Sequence, residues 1–354
     1  MSFNTITERL VRDLTAIASD AFADATGAAV VRPAPALMPT PRDVIAREGT
    51  ASLYRFVGTG PRRGRPVLLV PSLINQWYVL DLRAGASLVS ALVDAGLDVW
   101  CLDWGAPEDE DRYRTWDDTL ARLDRMVRRT LRTAGASQLA LLGYCMGGTL
   151  ATIYTALEPG RVCGLVDLAG PIDFTHGGML RTMVDRRWFD ADAIALAGNV
   201  SPEQMQSGFT ALRPTLELGR IVGAPDLALD PVAAAGFRAL DTWASDNIPF
   251  PAAAYRTYIG ELYQDNRLVA GTHRALGRAV TLDAIRCPTA VVVADRDQIC
   301  PPAAATALLD HVGTTDKTTL RVPGGHVGAV VGSRASRELY PALARWLDAK
   351  VATA

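Results

Sequence analysis

The sequence predicts an α/β chain: a mostly parallel, doubly wound sheet carrying a largely helical cap insertion. Three observations predict it. Apolar strand-like runs alternate with helical patterns between residues 66 and 168. The alternation stops over roughly 174 to 280, a stretch rich in helical patterns, Trp and Tyr, and resumes at Pro288-Thr289-Ala290-Val291-Val292-Val293. Finally, the run Leu139-Ala140-Leu141-Leu142 feeds Gly143-Tyr144-Cys145-Met146-Gly147-Gly148 and then a helix from Thr149 to Leu157, a strand-turn-helix with a thiol at its apex.

In chain order, Ile6, Leu10, Leu14, Ile17 and Ala21 have helical spacing, and a breaker-rich stretch follows from Pro33-Ala34-Pro35 to Pro39-Thr40-Pro41. Residues 1–45 are therefore expected to be an N-terminal helix and a Pro-rich linker. Strands are expected at Ser52 to Val57, Pro66 to Val70, Asp98 to Leu102, Gln138 to Leu142 and Cys163 to Leu168, with helices between most of them. This gives a first core part over 46–173, a cap over 174–280 and a second core part over 281–354.

Composition narrows the class. The chain has 354 residues, is 49% hydrophobic and carries a net charge of −2, which suits a globular protein with a sizeable core and no general attraction to nucleic acid. No apolar run approaches the ~18 residues of a membrane span. The N-terminus carries Glu8, Arg9, Arg12 and Asp13 instead of an apolar signal core, so a cytoplasmic protein is expected. Five cysteines, at 101, 145, 163, 287 and 300, are expected to be reduced thiols. Arg125, Arg128, Arg129 and Arg132 read as a solvated helix face, and Glu108-Asp109-Glu110-Asp111 as a solvated loop. No His-Glu-x-x-His, paired Cys-x-x-Cys or phosphate-loop motif occurs, so neither a metal nor a cofactor is expected.

The chemistry centres on Cys145. A turn this sharp brings backbones so close that a Cβ at 143 or 147 would obstruct it. The helix that follows aims its positive dipole end at the sulfur, and the Met146 amide is free to bind an oxyanion. In a nucleophile, acid, histidine order, the acid should follow a late strand and the histidine the next one. Asp297 follows Val291-Val292-Val293-Ala294, with Asp295 as the rival acid, and His326 follows Leu320-Arg321-Val322 in the flexible Pro323-Gly324-Gly325 loop. The other histidines, 176, 273 and 311, fall in the cap or at a helix end.

The chain resembles the polyhydroxyalkanoate synthases, specifically the short class III catalytic subunit, within the α/β-hydrolase superfamily. The resemblance rests on Ile74-Asn75 with Tyr78 and Asp81-Leu82, Asp103-Trp104-Gly105 with Pro107, the Cys145 elbow, and Pro171-Ile172-Asp173-Phe174. In the cap it rests on Gly198-Asn199, Phe209, Trp243 with Asp246, and Tyr263-Gln264-Asp265-Asn266-Arg267-Leu268 with Gly271. It implies an α/β-hydrolase fold and an acyltransferase that polymerises 3-hydroxyacyl-CoA, such as 3-hydroxybutyryl-CoA, into polyester.

By resemblance, Cys145 is the acylated nucleophile, His326 the general base and Asp297 the carboxylate. Met146 N–H and a backbone amide near Ile74 or Asn75 form the oxyanion hole, and Asp297 either orients the imidazole or helps deprotonate the incoming hydroxyl. The resemblance also implies a growing polyester chain, a homodimer, an accessory synthase subunit and a granule surface as the working site. One position departs from the family: Gln298 stands where histidine commonly follows the catalytic aspartate. A thioesterase or intracellular polyester depolymerase would use the same triad, and a granule-binding homologue would use none of it. The aromatics Trp188, Phe189, Phe209, Trp243, Phe250 and Tyr258 are expected to form the cap interior, and Trp243 with Asp246 to serve dimerisation or cap positioning.

Overall fold

Residues 35–212 and 231–352 are described in the computed structural model. The helix expected over Ile6 to Ala21 and the side chain of Phe209 lie outside the described residues.

An eight-stranded sheet forms the centre: β1 (Arg42–Glu48), β2 (Ala51–Phe56), β3 (Arg63–Val70), β4 (Leu97–Asp103), β5 (Leu139–Tyr144), β6 (Val162–Leu168), β7 (Thr289–Ala294) and β8 (Lys317–Val322). The spatial order is β1-β2-β4-β3-β5-β6-β7-β8. From β4 onward all neighbours are parallel, while β1, β2 and β4 pair antiparallel. β1 corrects the expectation that residues 1–45 are helix and linker only. It is an edge strand whose side chains are all at least partly exposed, so it carries no apolar run to reveal it.

The central strands are apolar on both faces because helices cover both. In β3, Leu68 and Val70 join one core cluster, and Val67 and Leu69 the other. The core helices are α1 (Leu88–Asp94), α2 (Trp116–Ala134), α3 (Met146–Leu157) and α4 (Tyr340–Val351). Thr115 caps α2 reciprocally with Asp118, and Gly135 ends it in a left-handed conformation. The arginine cluster on α2 is a surface face: Arg125 pairs with Glu48 and Arg128 with Asp124. The acidic run forms a tight turn over Asp109–Tyr113 closed by Glu108 and Asp111.

Between β6 and β7 the chain leaves the sheet for a largely helical cap with segments at Gly178–Met183, Ala191–Leu196, Pro202–Leu212, Pro231–Ser245 and Ala252–Gln264. The family-like motifs root this cap on the core. Asn266 accepts the Phe174 N–H and donates to Asp173, both at 2.9 Å. Phe174, Tyr258, Tyr263 and Phe250 then pack edge to face beneath it. Phe250 and Tyr258 are thus cap interior as expected, whereas Trp188 is 58% exposed.

Trp243 and Asp246 hold the cap in position. Trp243 Nε1 donates to the Gln76 carbonyl at 2.9 Å, and Tyr78 Oη donates to Asp246 at 2.8 Å. Ile248 N–H donates to the Ile74 carbonyl at 3.2 Å, and the Asn75 side chain donates to Asn247. The cap segment 246–250 therefore lies against the loop that leaves β3.

Candidate active site

The end of β5 is where the sequence concentrates its constraints. Cys145 sits at the turn with φ +56° and ψ −126°, a conformation side chains rarely adopt, and is partly buried. Its N–H is anchored to the Leu168 carbonyl at 2.9 Å, so β6 holds the strained turn. A Cβ at Gly143 would lie 2.2 Å from the Gly147 carbonyl oxygen. α3 begins at Met146, whose amide has no partner within the helix, while the Gly148 N–H donates to the Cys145 carbonyl at 2.8 Å.

His326 and Asp297 meet beside it. His326 Nδ1 lies 2.7 Å from Asp297 Oδ2, and the aspartate side chain is fully enclosed. The other oxygen of Asp297 accepts the N–H groups of Ile299 and Cys300 at 2.8 and 2.9 Å. The carboxylate is thus fully engaged by its own loop and by His326. Gln298 is exposed, so the site is built without the side chain that departs from the family. Asp295, the rival acid, forms a surface ion pair with Arg321 at 3.1 Å.

Burial would lower the His326 pKa, but the neighbouring charges of Cys145 and Asp297 outweigh it and push the value up to about 10. The imidazole is therefore held as imidazolium next to the sulfur at neutral pH. Its Nε2 is buried and makes no well-formed hydrogen bond, as is usual before substrate tightens the site. Because this folded pKa lies above the ordinary 6.5, the ion pair stabilises the fold fully below about pH 6.5. That contribution is lost as pH rises through about 10. Denaturation midpoints should fall over this window in the native chain, and should fall less steeply in Cys145→Ala, where only the Asp297 contribution remains.

Four further residues stand beside the triad, none of which the sequence assigned a place next to it. Tyr144 stacks on the His326 ring with centroids 5.3 Å apart, fixing the imidazole plane. Tyr258 and Tyr263 bring buried phenols from the cap; burial raises both, and the Cys145 charge raises them further. Asp167, in the apolar strand β6, is fully buried, and burial pushes its carboxyl well above the ordinary range. It accepts the Gly170 N–H at 2.9 Å and packs against Gly148 at the start of α3, where a Cβ would lie 2.1 Å from Oδ1. A charged residue type inside an apolar strand was the signal for it. Asp167→Asn should preserve this acceptor and leave Tm nearly unchanged. Asp167→Ala, which orphans the Gly170 amide, should cost about 1–3 kcal/mol in a denaturant titration.

All five cysteines are free thiols. Among the described residues no group of His, Cys, Asp or Glu could hold a metal ion, and no helix is long and apolar enough to cross a membrane.

The arrangement is a thiol, an imidazole and a carboxylate at the carboxyl edge of a parallel sheet, a combination suited to acyl transfer. A family model described as alpha/beta hydrolase fold matches residues 65–332. A second, described as the N-terminus of poly-beta-hydroxybutyrate polymerase (PhaC), matches residues 2–92. The chain is 32% identical over 315 residues to the poly(3-hydroxyalkanoate) polymerase subunit PhaC of Allochromatium vinosum, covering 87% of this chain and 88% of the relative. The chain belongs to the poly(3-hydroxyalkanoate) polymerase family.

A second poly(3-hydroxyalkanoate) polymerase subunit, from Synechocystis sp., is also 32% identical, over 87% of this chain and 84% of its own length. Fold and family together mark the chain as an enzyme. Among solved structures, the enol-lactonase from Burkholderia xenovorans LB400 is similar with a TM-score of 0.50 at 13% identity, covering 87% of this chain and 99% of its own, which is a likeness of fold.

Proposed function

We propose that this chain is an acyltransferase that polymerises 3-hydroxyacyl-CoA into polyester, with release of CoA, through a thioester on Cys145. The observation that carries the reading is a cysteine at the elbow beside the His326–Asp297 pair, in a chain whose relatives are named poly(3-hydroxyalkanoate) polymerases.

Cys145 as thiolate attacks the thioester carbonyl of the substrate. The bond from that carbonyl to the CoA sulfur breaks, and the departing CoA takes the proton from His326. One thioester replaces another, so the acyl group stays activated, whereas serine would trap it as an ordinary ester. The hydroxyl of the other acyl unit then gives its proton to neutral His326 and attacks the acyl-Cys145 carbonyl. An ester bond forms and the Cys145 thiolate leaves.

The Met146 amide, with a backbone amide at Ile74 or Asn75, is assigned to the oxyanion in both steps. Asp297 acts through His326, since both its oxygens are already engaged. The aromatic interior of the cap supports exclusion of water from the acyl-enzyme. A homodimer, an accessory synthase subunit and a cytoplasmic granule surface complete the proposal.

Incubating the purified chain with 3-hydroxybutyryl-CoA, and following free CoA while separating polymer from free 3-hydroxybutyrate, tests it. Polymer that disappears in Cys145→Ala is the expected outcome. Release of CoA with free acid as the sole product would identify a thioesterase instead.

A further inference from the structure

His326 is carried by a turn and not by a helix or strand. It follows β8 through Pro323-Gly324-Gly325, with Gly324 at φ +137°. Its ring makes one well-formed hydrogen bond, from Nδ1 to Asp297 at 2.7 Å, and its Nε2 has no partner among the described residues. A single bond of this kind is a hinge, about which the imidazole can swing and carry Nε2 away from the sulfur. The face of Tyr144 closes that hinge: its ring is tilted 27° from the imidazole plane, with centroids 5.3 Å apart.

Strand β5 places Tyr144 for this. It is the last residue of the strand, pairs in register with Leu168 of β6 and directly precedes Cys145, so one strand end fixes both the thiol and the ring. The side chain is 1% exposed and shares a core cluster with Leu168, Val292 and Val322. Its hydroxyl is buried and has no partner among the described residues, which is a cost to the fold. What Tyr144 contributes therefore comes from its ring and not from its oxygen.

An aromatic face attracts a cation within about 6 Å, most strongly where water is excluded. The groups facing His326 are the Cys145 sulfur from the elbow, Asp297 from the loop after β7 and Tyr144 from β5. The first two favour imidazolium by their charge. Burial keeps the Tyr144 phenol protonated, so the third favours imidazolium without a charge of its own.

We infer that Tyr144 is a positioning residue, whose ring face holds His326 in the plane and in the protonated form that the Cys145 sulfur calls for. The inference applies to any reaction run by this triad, so a chain that makes no polymer leaves it standing.

An NMR titration of the full chain tests it, with the His326 signals assigned by their loss in His326→Gln. The native imidazole should titrate at about 10 and show a far-downfield proton from the Nδ1–H that faces Asp297. In Tyr144→Leu the midpoint should fall by at least about one unit, and the Nδ1 proton should broaden through exchange with water. Tyr144→Phe should titrate with the native chain, and its Tm should equal or exceed the native value because an unpartnered buried hydroxyl is gone. Should Tyr144→Leu fail to fold, Tyr144→Ile, β-branched and suited to a strand, serves the same comparison. A native midpoint in the folded aliphatic variant would overturn the inference. So would an equal fall in Tyr144→Phe, which would assign the effect to the hydroxyl.

Discussion

An Asp297→Asn variant is expected to release CoA at near the native rate in a single turnover, and then to make polymer on the order of a thousandfold more slowly. The two steps ask different things of His326. In the proposed reaction, acylation starts from an imidazolium beside the Cys145 sulfur, so the proton needed by departing CoA is already in place. Elongation requires a neutral imidazole to take a proton from an alcohol, a far weaker acid than a thiol, and the resulting imidazolium is stabilised by the carboxylate 2.7 Å away. An asparagine amide keeps the packing of that loop but supplies no charge. Single-turnover CoA release and steady-state polymer yield, measured on the same preparation, separate the steps. Equal loss of both would sink the assignment of Asp297 to the alcohol step.

Gly147→Ala is expected to lower Tm measurably and remove most of the activity although it adds one methyl group. The new Cβ would stand 2.0 Å from the Val70 carbonyl oxygen and 2.6 Å from that of Pro71. Neither oxygen belongs to a side chain that can turn aside. Val70 closes the β3–β5 pairing opposite Gly143, and the Pro71 carbonyl accepts from Trp104 Nε1 at 3.0 Å. Relief requires α3 to withdraw from the sheet, taking Met146 and the strained Cys145 with it. A cost of roughly 3 kcal/mol or more is expected from overpacking against fixed backbone. For a chain of 354 residues that lowers Tm by about 4 °C or more. Gly260→Ala, whose Cβ meets nothing within 4 Å, is the matched control and should unfold with the native chain.

The parts of the fold readable in the sequence were those fixed by local chemistry. Buried parallel strands read as apolar runs, and Gly143 is demanded by the backbone of Gly147 and Gly148 within the same turn, whereas what Gly147 must clear, the Val70 and Pro71 carbonyls, lies on another strand. Asp297 and His326 were readable because their loops follow recognisable strands. β1 was not, because a solvent-facing edge strand has no apolar signature. The roles of Tyr144, Tyr258 and Asp167 depend on what packs against them across the sheet and cap, and no spacing encodes that. The sequence left two uses open for Trp243 and Asp246. Their bonds to Gln76 and Tyr78, more than 160 positions away, favour cap positioning.

Those bonds have a mechanical consequence. Segment 246–250 and the loop over residues 74–78 move as one piece unless the bonds at Ile74, Asn75, Gln76 and Tyr78 break. Were the cap to rise for a long product, as the proposed function requires, it would either carry that loop away from the thiol or break these restraints. On the proposed function, access and competence would then be coupled like an interlock, since opening the cap would disturb the loop assigned to the oxyanion.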